Sequence, residues 1–570
     1  MFRPDRSISR LVNAARGKNG ADLLITNVNL VNTLSGSIER CNVAVKDGVI
    51  IGFENYRAEK TVDGQGGFLC PGFIEAHIHI ESTLLTPPEF ARAVAARGTA
   101  VVVCDPHEIA NVLGVEGIQY FIRSSADLPV SVYFMLPSCV PATHLETAGA
   151  VLDVPELSIL LEKYPDRFLG LGEMMNFPGV IHNDPGVMAK LEMSSNLLID
   201  GHAPGLSGKD LNAYILAGPG SDHECVSPAE AKEKLGKGMH IMIREGTSEH
   251  NLEDLLPVVN DLNWPNFSLV SDDRHPTDLA GPGHLDYNLR RAVSLGMDPV
   301  RAVQMVTINP ARYFGLKHRG ALAPGYRADM VLLEDLEDFQ VQQVFLQGRR
   351  REECLFENIV DPPGNSIHIS GLNEKSLHVP ARGKKILVMD LVQGQIYTRR
   401  GEAKPRVVHG LVQADPENDL AKLVVAERHR STGNVGLGFV RGLGLKKGAI
   451  ASTVAHDAHN LIVAGSNDQD ILAAAEEVQR MKGGLAAVAD EKVLASLALP
   501  VAGLMSDRPL REVTYAMDLM KQACIAMGFG HENPFMILSF LALPVIPELK
   551  LTDMGLVDVG QFRLVDLWSA

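Results

Sequence analysis

The segment PGFIEAHIHIES carries two histidines, His77 and His79, two residues apart in a strand-like run, where alternate residues share a face. Two imidazoles on one face can hold a divalent metal. Four further residues of ligating type stand at or near the ends of short runs: Glu173 closes FLGLGE, His202 closes LLIDGH, His223 lies in GPGSDHEC and Asp272 closes FSLVSD. Imidazole nitrogen and carboxylate oxygen suit borderline divalent ions. His77, His79, Glu173, His202, His223 and Asp272 could therefore hold two metals with Glu173 bridging them. Two such ions lower the pKa of a water and turn it into a nucleophile. Asp272 would take the water's proton and pass it to the leaving group. Its neighbour Asp273 competes for that role, although strand alternation should send the two carboxylates to opposite faces.

Other polar groups have two readings each. His107 and Glu108 in DPHE could contact substrate, orient a ligand or hold an additional metal; the structural alternative is a hydrogen-bond network that orders a loop. Arg244 and Glu245 close HIMIRE and fit either a substrate contact or a salt-bridged strand end. His456, Asp457 and His459 form a second compact group, read as an extra metal site, a reach into the barrel mouth or an interdomain hydrogen-bond cluster. Glu75 and Glu81 flank the HxH pair, where one could contact substrate or support a histidine.

The runs TAVVVCDP, VSVYFMLP, FLGLGEM, NLLIDGH, HIMIREG and FSLVSDD are separated by helix-like stretches across 70–319, the pattern of repeated βα units around a parallel sheet. Reactive side chains at the carboxyl ends favour an α/β chain built on a (β/α)8 barrel. A doubly wound sheet is the alternative, but neither a dinucleotide glycine motif nor a P-loop is present. Short β-branched runs at 22–69 and again at 320–350 are expected to share one small β-sandwich domain. Residues 1–21 read as an N-terminal arm, 351–375 as a connector and 376–570 as an α+β C-terminal domain.

The 570 residues carry a net charge of −16, a field that opposes nucleic acid and anionic membranes, and no partner of either kind is expected. The 7 cysteines are odd in number and include no CxxC pair, which points away from a disulfide framework and toward the cytoplasm.

The order HxH, bridging group, His, His, Asp at successive strand ends resembles the amidohydrolase superfamily of metal-dependent hydrolases, with Glu75 where an Asp is usual and Glu173 where a carboxylated lysine is common. The segments VVVCDPHEIANVLG, GEMMNFPGV, IDGHAPGLSG, SDHECVS, REGTSEHNL and SDDRHPTDL, with STVAHDAHNLIVAGSND near the C-terminus, resemble the adenine deaminase family. That resemblance implies hydrolysis of adenine to hypoxanthine and ammonia by a metal-activated hydroxide attacking purine C6, in purine salvage. It also implies a binuclear centre of manganese or iron(II), and a homo-oligomer. Asp272, Glu173 and His223 are the expected catalytic residues. An amino-sugar deacetylase of the same superfamily and a catalytically silent scaffold are the rivals; DPHEIANV and the large C-terminal region oppose the first, and the full set of candidate ligands opposes the second.

Overall fold

The computed structural model describes residues 7–358, 360–392, 397–531 and 533–569. Eight parallel strands follow one another: β1 Phe73–Ile78, β2 Thr99–Cys104, β3 Ser131–Leu136, β4 Phe168–Met174, β5 Leu198–Gly201, β6 Ser221–Asp222, β7 His240–Arg244 and β8 Phe267–Val270. The first five form one ladder and the last three another. Backbone bonds close both gaps: Gly220 N–H donates to the Ile199 carbonyl at 2.9 Å, and Asp272 N–H to the His77 carbonyl at 3.0 Å. The result is a closed (β/α)8 barrel. Its strands lie buried between the helices and the interior, which is why β2 reads TAVVVC with all six residues buried.

The strands Ala21–Asn32, Ser37–Lys46, Val49–Gly52, Ala58–Asp63 and Phe68–Pro71 share a single sheet with Met330–Leu333, Val341–Leu346 and Arg349–Arg350. The distant pieces meet where Phe68–Pro71 runs antiparallel to Met330–Leu333, with Leu69 opposite Leu332. Leu30, Leu69, Met330 and Phe345 fill the core of this sheet. Its first tight hairpin turns on Asp47-Gly48, both with positive φ (51° and 69°), the conformation that a two-residue hairpin loop demands. A short helix, Ile8–Ala15, precedes the sheet, whose first strand starts one residue before the position read from sequence.

The C-terminal region is built on an eight-stranded sheet in the order Thr398–Ala403, Ile386–Leu391, Val435–Arg441, Leu420–Ala426, Leu461–Gly465, Ala449–Ser452, Gly484–Ala489, Lys492–Ala498. Period-two alternation divides its side chains between two cores. Val424, Ala451 and Val463 pack with Ile471, Ala474 and Val478 of a helix, Asp468–Arg480. Leu423, Val425, Ile450 and Ile462 join an apolar cluster that also contains Ile78, Ile80, Leu84 and Leu85 of the barrel. The second face of the C-terminal sheet is thereby buried in a core continuous with the barrel's. At that junction Ser506 N–H donates to the Leu84 carbonyl at 2.8 Å.

Candidate metal centre

β1 presents His77 on its last turn of pleat and His79 just beyond its end. β4 supplies Glu173, and His202, His223 and Asp272 follow the ends of β5, β6 and β8. Their side chains converge. Glu173 Oε1 lies 3.9 Å from His77 Nε2 and 3.3 Å from His79 Nε2, while Oε2 lies 2.7 Å from His202 Nδ1 and 3.2 Å from His223 Nε2. One carboxylate thus faces two groups of imidazoles. Asp272 Oδ1 stands 3.6 Å from His77 Nε2 and 3.2 Å from His79 Nε2. The rings of His77 and His223 stack at 4.1 Å.

Local structure fixes these orientations. His79 Nδ1 donates to the Asp105 carbonyl at 3.0 Å, which turns its Nε2 lone pair toward Glu173 and Asp272. Asp105 Oδ2 accepts the Glu173 N–H at 3.1 Å. That contact needs Gly172, because a Cβ there would lie 2.1 Å from Asp105 Oδ2. Asp272 adopts a left-handed backbone, φ 55°, just past the end of β8. This bend, rather than continued strand alternation, separates it from Asp273, whose carboxylate accepts the Ser82 hydroxyl. The reason given by sequence was therefore incomplete: β8 has already ended at Val270.

The cluster favours positive charge. Burial alone would raise the Glu173 carboxyl, but its hydrogen bonds to His202 and His223 hold it well below the usual carboxylate range. Burial would lower His223, and Glu173 carries it instead to about 9. Asp272 is likewise held low against burial, by His77, His79 and Arg244.

The chain matches the amidohydrolase family over residues 68–351 and the adenine deaminase C-terminal domain over 395–563. It is 55% identical over 568 residues to an adenine deaminase of Oleidesulfovibrio alaskensis, covering 99% of this chain and 100% of that one. Adenine deaminases of Desulfatibacillum aliphaticivorans and Methanothrix thermoacetophila are 48% and 47% identical, each across 98% of this chain and 99% of their own. The chain belongs to the adenine deaminase family. A solved adenine deaminase covers 58% of this chain and 99% of its own at 18% identity, with a TM-score of 0.44.

Amidohydrolase membership implies a divalent metal, and the donors fit one. The groups His77/Glu173/His223 and His77/His79/Asp272 each bring three ligand atoms within 4.8 Å of one another. His77 Nε2 is buried and has no hydrogen-bond partner among the described residues, an orphan that a cation would satisfy.

The remaining candidates fall into place around this centre. Arg244, at the end of β7, donates to Asp272 Oδ2 at 2.9 Å and makes a two-pronged contact with Glu224. Glu224 itself was not singled out from sequence, yet it stands 3.7 Å from His202 Nδ1 and 3.6 Å from His223 Nε2. Its only signal was adjacency to His223 in SDHEC. Glu245 turns away and meets His250 at 3.2 Å. Glu75 also turns away from the centre, accepting the Ser271 hydroxyl at 2.7 Å and lying 3.1 Å from His284 Nε2. Glu81 accepts the Ile109 N–H at 2.9 Å, and burial lifts its carboxyl to about 7. His107 opens a helix, α1 His107–Ser124, with Nδ1 3.4 Å from Glu173 Oε1 and Nε2 3.3 Å from Glu108 Oε1. Glu108 in turn meets His456 Nδ1 at 2.6 Å and His459 Nε2 at closer range, across 348 and 351 residues of sequence.

Behind His202 and His223, Asp222 accepts from the Ala203 N–H at 2.9 Å and pairs with Lys234 at 3.0 Å. Lys234 has no exposed side-chain surface and also reaches Glu230 at 2.7 Å. Lys234→Met would leave the Asp222 charge buried without its partner, and denaturant unfolding is expected to show a loss of about 3–5 kcal/mol. A loss below about 1 kcal/mol would mean that the pair is solvated.

Proposed function

We propose that this chain hydrolyses adenine to hypoxanthine and ammonia at the barrel mouth, with two divalent ions, manganese or iron(II), held by His77, His79, Glu173, His202, His223 and Asp272. The observation that carries the reading is the placement of Glu173: its two oxygens face separate imidazole groups, His77 with His79 on one side and His202 with His223 on the other. Full-length similarity to adenine deaminases supports the choice of substrate. Bound there, the ions supply the Lewis acidity that makes water nucleophilic near neutral pH.

The protein's own groups do the rest. Asp272, ionised and aimed between His77 and His79, accepts the proton of the attacking water and delivers it to the departing amine. Arg244 keeps Asp272 in place by holding its second oxygen, and Glu224 holds Arg244. His77, His79, Glu173, His223 and Asp272 are all buried, which strengthens these charge contacts. Recovery of hypoxanthine fits purine salvage. The seven free thiols fit a reducing cytoplasm.

The test is ammonia release from adenine by manganese-reconstituted protein beside its His79→Ala variant, with metal content measured for both. Turnover in the parent protein and its loss in the variant, by more than about 10³-fold together with loss of bound metal, is the expected result. A metal-loaded parent that releases no ammonia would overturn the adenine assignment. An active His79→Ala variant would overturn the site.

A further inference from the structure

The loop 453–460 joins the strands Ala449–Ser452 and Leu461–Gly465 of the C-terminal sheet and enters the barrel mouth. It is anchored from several sides. Thr453 Oγ1 donates to the Gly503 carbonyl at 2.7 Å, His456 N–H to Ser539 Oγ at 3.1 Å, and Asn460 Nδ2 to the Thr147 carbonyl of the barrel at 2.9 Å. Arg428, fully buried, braces the loop from behind by bonding the His459 carbonyl, Ser366 Oγ at 2.9 Å and the Ala502 carbonyl at 3.0 Å.

The two histidines of the loop grip Glu108. His459 Nδ1 accepts the Ala455 N–H at 3.1 Å, so the neutral ring carries its proton on Nε2 and donates it to Glu108 Oε2. That tautomer leaves no Nε2 lone pair for a cation. In this arrangement the Glu108–His456–His459 group links the two parts of the chain by hydrogen bonds.

Between the histidines stands Asp457. The residue is 2% exposed, and Oδ2 has no hydrogen-bond partner among the described residues. Oδ1 lies 3.9 Å from His456 Nδ1, whose proton is engaged by Glu108 at 2.6 Å. Its neighbour His456 is bonded to Glu108, whose Oε1 lies 3.3 Å from His107 Nε2, and His107 Nδ1 lies 3.4 Å from Glu173 Oε1, so a short chain of contacts links the loop to the metal centre; burial raises the Asp457 carboxyl to about 6. A loop pinned at this many points cannot swing the carboxylate out to water. A buried acceptor left unpaired is costly unless something brings it a donor.

We propose that the active site is composite, with Asp457 of the C-terminal region accepting a hydrogen bond from an N–H of the purine base. The inference rests on the adenine reading above. Adenine offers N–H groups on its exocyclic amine and on its imidazole ring, and a carboxylate is a strong acceptor for either. An acceptor that only the right base satisfies also rejects bases lacking that donor.

The experiment uses the full-length manganese-loaded protein with Asp457→Asn and Asp457→Ala. Steady-state kinetics on adenine, metal content and thermal unfolding are read for each. The expected result is a fall in kcat/KM of about tenfold for Asn and about a hundredfold for Ala, mostly in KM, with metal content and melting temperature retained. Inhibition by unsubstituted purine, which keeps the imidazole N–H but lacks the amine, then locates the contact. Weaker inhibition of the variants assigns the imidazole edge, and unchanged inhibition assigns the amino group. Kinetics within twofold of the parent would overturn the proposal, as would a loss that follows metal content or melting temperature. Asp457→Asn keeps side-chain volume, so it remains informative if the alanine variant fails to fold. A metal-loaded parent without turnover would instead overturn the adenine reading from which the proposal starts.

Discussion

Glu173→Gln is expected to abolish adenine turnover, lowering kcat/KM by more than about 10³-fold, and to reduce bound metal in the same protein. The substitution is nearly isosteric, yet it removes the charge that faces five imidazoles. His202 lies 2.7 Å from the carboxylate, His223 3.2 Å, His79 3.3 Å, His107 3.4 Å and His77 3.9 Å. An amide presents N–H groups to nitrogens that need an acceptor or a cation, so both halves of the centre lose their common partner. Metal analysis and turnover, measured on one preparation, check this. Two ions retained with activity within tenfold of the parent would show that Glu173 is not the shared ligand.

Asp272→Asn separates two duties. As a ligand the side chain keeps an oxygen, and the neighbouring histidines remain, so most of the metal should stay bound. As a proton acceptor it is lost, and kcat is expected to fall by about 10²–10⁴-fold, the range for a general acid/base. Asp273→Asn is the matched control: its carboxylate accepts the Ser82 hydroxyl, whereas Asp272 is the one that lies 3.6 Å from His77 and 3.2 Å from His79, so the effect of Asp273→Asn should be far smaller. Comparable losses in the two variants, or retained turnover in Asp272→Asn with intact metal content, would remove Asp272 from the proton path.

The sequence exposed the parts of this site that obey a period. Apolar runs such as VVVC and FLGLG are long enough to signal buried strands, and the polar residue at the end of each then lies at the barrel mouth. β6 is only Ser221–Asp222, too short for any pattern, and His223 was found through its chemistry instead. Glu224 was missed because a carboxylate beside a histidine has no periodic signature; its role depends on Arg244 arriving from β7. The choice between Asp272 and Asp273 depends on a left-handed residue beyond the strand end, a backbone feature that alternation does not encode. The contact of Glu108 with His456 joins residues 348 apart, a separation at which no local pattern in the sequence signals a meeting.

The apolar layer shared by the barrel and the C-terminal sheet has a consequence for cooperativity. Ile78, Ile80 and Leu85, on the segment that carries the HxH pair, are covered by the same cluster as Leu423, Val425, Ile450 and Ile462. Detaching the C-terminal sheet would expose both faces of that layer at once, at a hydrophobic cost of roughly 25 cal/mol per Å² of apolar surface. Local opening on that side is therefore costly, and the two parts of the chain are expected to melt in a single transition by calorimetry. The metal-binding segment thus borrows its rigidity from residues more than three hundred positions away along the chain.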